Sequence, residues 1–353
     1  MKIKLAILES DAIYLSRIVN AFETKYADNL QIYSFTDREV ALSTLESAKI
    51  EVLIASDAFE IDVSKLPKRC GFAYFVDSAD VESQNGQRAI CKFQKADLIY
   101  KQVLSIYSDN AGSISGLKFG EDSSKIIVFE PVSGGVGASV AAASCALRFA
   151  AKGKQTLYLN LERFGSSDVF FQSAGQFDMS DIIFALKSKK TNLSIKLESC
   201  VKQAESGVYF YSPSKIALDM LELTSDDILK LLSELQMMGA YDYIIVDCDF
   251  SIDRDALKIC RKAHTVVWVA DGSELSNAKL FRAFHALNTL EQNADSPITN
   301  RLALFYNKFS NKTSTAMTEI GVKNIGGAPR YEHATTKQVM EQLSSMDLFD
   351  KIM

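Results

Sequence analysis

A ten-residue run, PVSGGVGASV from Pro131 to Val140, constrains the fold of this chain more than any other feature. It follows an apolar segment at 125–129 and precedes an alanine-rich, helix-patterned segment that ends near Gly153. Strand, glycine-rich loop and helix in this order form a phosphate-binding loop, because glycines let the backbone curl around an anion and the helix N-terminus adds partial positive charge. Such loops place a lysine directly before their final serine, and here that position holds Ala138. The run predicts a loop that holds a nucleotide and is poorly equipped to cleave it.

Composition sets the protein class. A length of 353 residues favours two domains, and a net charge of −5 (39 basic, 44 acidic residues) gives no electrostatic basis for bulk nucleic-acid binding. The six cysteines form no CxxC pair and lie mostly in apolar segments, which is typical of reduced thiols and disfavours metal ligation. The N-terminus turns acidic too early for a signal peptide, and no apolar run approaches ~20 residues. We therefore expect a cytoplasmic protein that does not insert directly into a membrane.

A small, polar, glycine-rich stretch predicts a linker at 108–124, between a domain at 1–107 and a domain at 125–353. In the N-terminal domain short apolar runs alternate with amphipathic stretches, which predicts a parallel sheet with helices on both faces. The predicted strands are Lys2–Leu8, Gln31–Phe35, Val52–Ala55, Phe72–Val76 and Ala89–Phe93, and the predicted helices are Ala12–Tyr26 and Glu39–Ala48.

The layout of the N-terminal domain resembles that of response-regulator receiver domains, which have a flavodoxin-like fold. A receiver has acidic residues after its first strand, a phosphate-accepting aspartate at the end of its third and a lysine after its fifth. Glu9 and Asp11 follow the first predicted strand, and Lys92 lies near the fifth. The acceptor position falls on Ser56, with Asp57 one residue later, and consecutive strand-end side chains point to opposite faces. We favour a receiver-shaped interaction module without chemistry; the alternatives are phosphorylation on Asp57 and a different small α/β domain.

The C-terminal domain contains nearly continuous apolar runs, rich in β-branched and aromatic residues, with helical patterns between them. Such runs are typical of strands buried on both faces and predict an open, doubly wound sheet that binds ligands beyond the carboxyl ends of its strands. One helix is especially clear, with Ser225 as its predicted N-cap and two acidic residues in its first turn. The predicted strands are Ile126–Phe129, Thr156–Leu161, Val208–Tyr211, Tyr243–Asp247, Thr265–Ala270 and Arg301–Tyr306.

Four polar sequences lie at the ends of these predicted strands. Each is a weak signal alone, but their order and placement together are specific. They are the loop Ser133–Ser139, the sequence NLERFG at 160–165, Asp247-Cys-Asp249 and Asn307-Lys308.

On these motifs the C-terminal domain resembles the MinD/ParA family of deviant Walker A ATPases, P-loop NTPases whose loop reads KGGxGK[ST]. A receiver-like domain followed by a MinD-like domain resembles in particular the TadZ/CpaE branch, associated with the assembly and polar placement of type IVb (Flp, tight-adherence) pili. The resemblance implies an ATP-binding homodimer that uses Mg²⁺, is recruited to a cell pole and contacts other pilus-assembly proteins through its receiver-like domain. The alternative is an active MinD/ParA-type ATPase that organises cell division or DNA partitioning.

The resemblance also assigns roles to single residues. The Ser139 hydroxyl and Asp247 would hold Mg²⁺, a cation that prefers oxygen ligands. Asn307 would read the adenine edge, since an amide offers both a donor and an acceptor. Glu162, the catalytic candidate, lies where the family's second aspartate positions attacking water, and Asn160 replaces the first. The residues assigned to cofactor binding are Ser133, Gly134, Gly135, Val136, Gly137, Ala138, Ser139, Val140, Asn307 and Lys308.

Two departures from the family pattern concern catalysis. The family's signature lysine falls on Ser133 and its P-loop lysine on Ala138, so both cations that neutralise transition-state charge are missing. Loss of one such stabiliser typically costs roughly 10²–10³ in rate. We expect very slow or absent hydrolysis, with ground-state binding less affected; Arg163 is an alternative source of charge.

The C-terminal segment is helix-patterned, with Val339, Leu343, Met346 and Phe349 at helical spacing. From Glu332 onward it carries four acidic and two basic residues, a net charge of −2, whereas a membrane-surface helix requires positive charge. The pattern predicts a helix packed on its own domain.

Overall fold

The computed structural model describes residues 2–110, 124–188, 191–292 and 294–353. The chain divides into two compact units: the first comprises Met1–Gly116 with Ser188–Cys200, and the second Leu117–Lys187 with Val201–Met353. Most of the predicted linker at 108–124 lies outside the described residues.

The first unit is built on a sheet with strand order β2-β1-β3-β4-β6-β5. Its strands are parallel except for the antiparallel pair β5 and β6, and the order of the parallel strands is that of flavodoxin-like folds. This confirms the predicted fold class. The elements are β1 (Ile3–Leu8), α1 (Ala12–Lys25), β2 (Leu30–Phe35), α2 (Arg38–Ser47), β3 (Val52–Ser56), β4 (Gly71–Val76), β5 (Ser83–Gln84), β6 (Gln87–Cys91) and α3 (Ala96–Asn110).

A tight hairpin joins β5 to β6 and was not predicted. Its turn residues, Asn85 and Gly86, have φ angles of +52° and +73°. Asn-Gly is the favoured pair for a two-residue turn with positive φ at both positions. The hairpin leads into the fifth parallel strand, which the structure places at Gln87–Cys91 instead of the predicted Ala89–Phe93.

The second unit is built on an eight-stranded sheet with the order β14-β13-β12-β7-β11-β8-β10-β9. All pairs are parallel except β9 with β10, so the carboxyl ends of the central strands meet at one edge. This confirms the predicted doubly wound fold. The strands are β7 (Lys125–Pro131), β8 (Thr156–Asn160), β9 (Lys202–Gln203), β10 (Tyr209–Phe210), β11 (Tyr243–Asp247), β12 (Thr265–Ala270), β13 (Leu302–Phe309) and β14 (Lys323–Pro329). The helices from residue 138 onward are α4 (Ala138–Ala151), α5 (Met179–Lys187), α6 (Leu193–Cys200), α7 (Ala217–Leu221), α8 (Ser225–Met238), α9 (Arg254–Lys262), α10 (Glu274–Leu290) and α11 (Thr336–Ser345).

Helix α6 belongs to the first unit, although its sequence lies among elements of the second. It packs on α3: Ile195 is buried in the core of the first unit, and the Lys196 ammonium donates to Ser105 Oγ over 2.8 Å. The Asn192 N–H donates to the Ser108 carbonyl over 3.1 Å. Sequence alone assigns 193–200 to the C-terminal domain, because a helix's own pattern does not identify its packing partner.

The start of α8 differs from the prediction by one residue. The N-cap is Thr224 rather than Ser225, because Thr224 Oγ1 accepts from the Asp227 N–H (3.2 Å) and Asp227 Oδ2 accepts from the Thr224 N–H (3.0 Å). This reciprocal pair is a capping box, which requires the acidic residue three positions after the cap.

The C-terminal helix α11 packs on α4, as predicted. Leu343 and Phe349 are fully buried in the core of the second unit, and Asp350 accepts two hydrogen bonds from the Arg148 guanidinium, of 3.0 and 2.7 Å. The Arg148 hydrogen bonds hold the pKa of Asp350 well below its usual range. Within the described ranges, no helix has both the length and the apolar character that crossing a membrane requires.

Candidate functional site

The glycine-rich loop links β7 to α4 at the carboxyl edge of the second sheet. Gly135 and Gly137 have φ angles of +77° and +83°, which side chains other than glycine rarely adopt. Gly137 is the N-cap of α4 and supplies no side-chain cap. For the described chain, the structure records no hydrogen bond from the N–H groups of Val136 to Ser139, and this leaves them available to an anion.

Asn307 and Lys308, at the end of β13, lie against this loop. The Asn307 amide nitrogen donates to the Val136 carbonyl over 2.8 Å, and the Lys308 ammonium donates to the Gly135 carbonyl over 2.6 Å. Asn307 is buried, and a Cβ added at Gly137 would lie only 2.6 Å from its amide nitrogen. The structure thus brings both predicted residues to the loop, in a role that sequence reasoning missed.

The two positions without lysine face other parts of the protein. The Ser133 hydroxyl donates to Ser276 Oγ over 3.1 Å, at the start of α10. Ala138 is buried at the start of α4, and so is Val136, whereas Val140 is partly exposed. Neither Ser133 nor Ala138 can supply a cation to a bound phosphate.

An acidic network lies beside the loop, at the ends of β8 and β11. Asp247 is fully buried, and its Oδ2 accepts from the Tyr158 hydroxyl (2.7 Å) and the Asn160 amide (3.1 Å). The same amide donates to Glu162 Oε2 over 3.2 Å, and Glu162 Oε1 accepts from the Ser139 hydroxyl over 3.2 Å. Four residues predicted at the ends of β8, β11 and the loop are therefore in one hydrogen-bonded group: Ser139, Asn160, Glu162 and Asp247.

Burial raises the pKa of Asp247 well above its usual range, and the nearby charge of Glu162 raises it further. Burial and the Asp247 charge likewise raise the pKa of Tyr158. A cation beside Asp247 would favour the ionised carboxylate, because opposite charges a few ångströms apart stabilise each other. The network is thus suited to receive positive charge.

The fit to Mg²⁺ rests on one orphaned atom. Asp247 Oδ1 is buried and has no hydrogen-bond partner, and buried polar atoms are normally paired. With the Ser139 hydroxyl and Glu162 it supplies oxygen donors, which Mg²⁺ prefers. Among the described residues no group of three or more His, Cys, Asp or Glu side chains could hold a metal alone. Mg²⁺ at this site would complete its shell with nucleotide phosphates and water, and would neutralise phosphate charge there.

The loop after β8 makes a close turn at Gly165, where any Cβ would overlap the Asn160 side chain. Arg163 is exposed, and its backbone N–H donates to Asp249 Oδ2 over 3.0 Å.

The preceding strand also carries Tyr158, which sequence reasoning missed because a tyrosine within a buried strand is typical of a core residue. Its two-residue spacing from Asn160, which places both on one face of β8, is the signal that could have identified it.

The first unit has a second strand-edge site. Ser56 ends β3 and is buried, and the Lys92 ammonium lies 3.5 Å from its hydroxyl oxygen. The same ammonium lies 3.1 Å from Glu9 Oε2 and 3.4 Å from Asp77 Oδ1. Asp57 is exposed, one residue beyond the strand. The structure therefore places Ser56 beside the receiver-type lysine, as predicted.

Lys92 forms ion pairs with carboxylates in this site. Burial alone would lower the pKa of Lys92, but the hydrogen bond and charge of Glu9, with a smaller effect of Asp77, raise it overall. Glu9 is itself buried, so the pair is screened little by water. The lysine is held as a structural cation.

Comparison with known proteins agrees with this division of the chain. Residues 1–108 match the family model of the TadZ-like receiver domain. No curated protein sequence matches the chain. The structure is similar to that of MinD from the Aquifex aeolicus MinC:MinD complex, with 15% identity over 65% of this chain and 96% of that one, at a TM-score of 0.51. A. aeolicus MinD by itself gives the same identity and coverage at a TM-score of 0.50. A ParA family ATPase from Chlorobium tepidum is 21% identical over 65% of this chain and 93% of that one, at a TM-score of 0.49.

The two MinD structures are too distant in sequence to transfer an activity, and they establish the fold. The chain therefore carries a TadZ-like receiver domain at residues 1–108, followed by a domain with the fold of the MinD structures.

Proposed function

We propose that this protein is an ATP- and Mg²⁺-binding dimeric scaffold that places or assembles a type IVb pilus secretion apparatus, with slow or no ATP hydrolysis. The observation that carries the proposal is the loop itself, whose N–H groups at 136–139 have no hydrogen bond in the described chain and which has no lysine at positions 133 and 138. Such a site retains ground-state contacts and lacks the cations that stabilise a transition state. The TadZ-like receiver domain supports the link to pilus assembly.

Slow hydrolysis is also supported by the state of Glu162. Both of its carboxylate oxygens accept hydrogen bonds, from Ser139 and from Asn160. A carboxylate that is engaged on both oxygens is poorly placed to orient a water molecule. We expect turnover well below about 1 per second, at the low end of ordinary enzymes.

Dimerisation is supported by exposed apolar side chains on the segments that follow β8 and β10. Phe164 is 75% exposed and Leu218 is 66% exposed, close in sequence to further exposed apolar residues at 169, 216 and 221. Large apolar side chains at an edge that binds a ligand are typical of an interaction surface. Because no lysine at position 133 can cross to a partner's phosphate, apolar contacts would carry more of the association. We therefore propose a dimer that depends weakly on the γ-phosphate.

The receiver-like domain would recruit partner proteins without being phosphorylated. Its lysine is paired with Glu9, and its acceptor position carries Ser56. A fold that retains the receiver shape and lacks its chemistry is suited to constant protein contact. We propose that this domain binds other pilus-assembly proteins in the cytoplasm and directs the chain to a cell pole.

Two measurements test the scaffold. Isothermal titration of Mg-ATP into nucleotide-free protein should show binding, and sedimentation velocity with ATP, with ADP and without nucleotide should show a dimer in both nucleotide states. Phe164→Ser should shift the protein towards monomer, while Phe184→Ser, on α5 and 68% exposed, should not. Absence of binding at millimolar ATP, or a monomer in all states, contradicts the proposal.

A second candidate is an active MinD/ParA-type ATPase, and one contact favours it. The Lys308 ammonium lies 2.6 Å from the loop carbonyl of Gly135, so one cation is present at the loop. Turnover of about 1 per second or faster, in protein free of contaminating enzymes, would select this candidate over the scaffold.

A further inference from the structure

The side chains of two consecutive residues of β13 donate hydrogen bonds to two consecutive backbone carbonyls of the loop. Lys308 donates to the Gly135 carbonyl over 2.6 Å and Asn307 to the Val136 carbonyl over 2.8 Å. Lys308 adopts a φ of +56°, a conformation that is rare for residues other than glycine. A residue persists in such a conformation when its surroundings fix it, so the contact is a specific feature of this strand end.

The geometry of the peptide bond links these two hydrogen bonds to the directions of the neighbouring N–H groups. In a trans peptide the C=O and the N–H point in opposite directions, and the described chain contains no cis peptide. A hydrogen bond that fixes the Gly135 carbonyl therefore turns the Val136 N–H away from Lys308. In the same way, the bond to the Val136 carbonyl turns the Gly137 N–H away from Asn307. Both N–H groups belong to the set that is left without a partner at the start of α4.

We propose that Lys308 and Asn307 form a brace that orients the Val136 and Gly137 N–H groups towards the phosphates before nucleotide arrives. Lys308 is thus a positioning residue, which acts through the loop backbone. This inference rests on the proposed nucleotide binding and deepens it. The brace matters here because no loop lysine is present to order the empty loop, since positions 133 and 138 hold serine and alanine.

The binding affinities for ATP and ADP distinguish a brace from a phosphate ligand. Loss of a brace weakens every ligand that uses the Val136 and Gly137 N–H groups, so ATP and ADP should lose the same factor. Loss of a γ-phosphate ligand weakens ATP far more than ADP. The exposed position of the Lys308 side chain limits the size of either effect.

The experiment compares Lys308→Met with the matched control Lys312→Met. Lys312 is an exposed lysine four residues along the same segment, away from the loop. Titration of Mg-ATP and of Mg-ADP should show an affinity loss of about three- to tenfold for both nucleotides in Lys308→Met, as expected for one hydrogen bond of a solvent-exposed side chain. Lys308→Arg, which retains a donor, should recover most of the loss, and Lys312→Met should match the parent protein.

A second readout does not use nucleotide. The chain has 17 glycines, so glycine-selective ¹⁵N labelling gives a simple spectrum in which the Gly135 and Gly137 amides can be followed. In the nucleotide-free protein these two resonances should shift or broaden in Lys308→Met and stay unchanged in Lys312→Met. Unchanged glycine resonances, a loss confined to ATP, or a loss no greater than in the control each overturns the brace. If the parent protein binds no nucleotide, the proposed function fails, and the glycine spectrum still decides the brace.

Discussion

The strand-edge sites of the two units differ in which charged groups they retain. In the first unit Lys92 is present, and Ser56 occupies the position of the acceptor carboxylate. In the second unit the carboxylate of Asp247 is present, and Ser133 and Ala138 occupy the positions of the lysines. One site has a cation without an acceptor, and the other has metal-type ligands without the two loop lysines.

The difference shows which part of phosphoryl chemistry each site can still support. Covalent transfer requires a nucleophile or acceptor together with cations that stabilise the transition state, whereas binding requires only donors and a metal. The first site has lost the acceptor, and its remaining cation is used to balance buried Glu9. The second has the backbone donors and Asp247, and it lacks the lysines at positions 133 and 138. The comparison therefore supports the proposal of persistent contacts with slow turnover.

The largest effect is expected when a substitution restores a carboxylate acceptor to the site of the first unit. Acetyl phosphate should add no phosphoryl group to the parent protein, because the carboxylate acceptor is missing. Ser56→Asp places a carboxylate within reach of Lys92 and should gain up to one phosphoryl group per chain, measured by intact mass spectrometry. A stoichiometric adduct on the parent protein that disappears in Asp57→Asn would instead show that the site works through Asp57.

The next largest effect is expected when a bulky side chain is placed in the glycine-rich loop of the second unit. Gly137→Val should weaken Mg-ATP binding more than about a hundredfold, because its Cβ would lie 2.6 Å from the Asn307 amide nitrogen and its φ of +83° is unfavourable for valine. Gly153→Val is the control: it has a φ of +77° at the other end of α4, with open space around the added Cβ. If both variants lose the same affinity in calorimetry, strain in α4 rather than the brace geometry is responsible.

Much of this comparison could be predicted from the sequence, because it depends on local patterns. Strand-end positions such as Ser56 and Asp247 follow from apolar runs of the right length. The Asn85-Gly86 hairpin carried a local signal that was overlooked. The packing of α6 on α3 and the contact of Lys308 with Gly135 could not be predicted, since each joins residues far apart in sequence. The one-residue error at Thr224 arose because serine and threonine are both good caps, and the position of Asp227 decides between them.

A smaller effect concerns the stability of the first unit. Lys92→Met leaves the buried carboxylate of Glu9 without its cation, which should lower the free energy of unfolding of this unit by about 3 kcal/mol. Hydrogen exchange of the β1 and β3 amides measures this. Adding Glu9→Gln to the variant removes the unpaired charge and should recover most of the loss. No recovery in the double variant would mean that packing of the lysine stem, rather than its charge, accounts for the effect.

The smallest expected effect concerns a buried acid of the second unit that has no lysine partner among the residues that the structure describes. Glu130, the residue before Pro131, accepts hydrogen bonds from Trp268 Nε1 (2.9 Å) and Cys260 Sγ (3.6 Å), and burial raises its pKa to about 7. A carboxyl whose pKa is higher in the folded than in the unfolded state stabilises the fold at low pH and loses this contribution as pH rises through the folded value. The free energy of unfolding should therefore fall as the pH rises from 4.5, the ordinary pKa of a glutamate, to about 7, and by a smaller amount in Glu130→Gln than in the parent protein. Trp268 is the only tryptophan of the chain, so its fluorescence during urea unfolding reports on this unit.

The burial-raised pKa of Asp247 contributes a similar slope to both proteins, so the difference between their slopes isolates Glu130. Equal slopes in the two proteins would show that Glu130 ionises without cost in the folded state, and that its hydrogen bonds to Trp268 and Cys260 compensate for the missing cation.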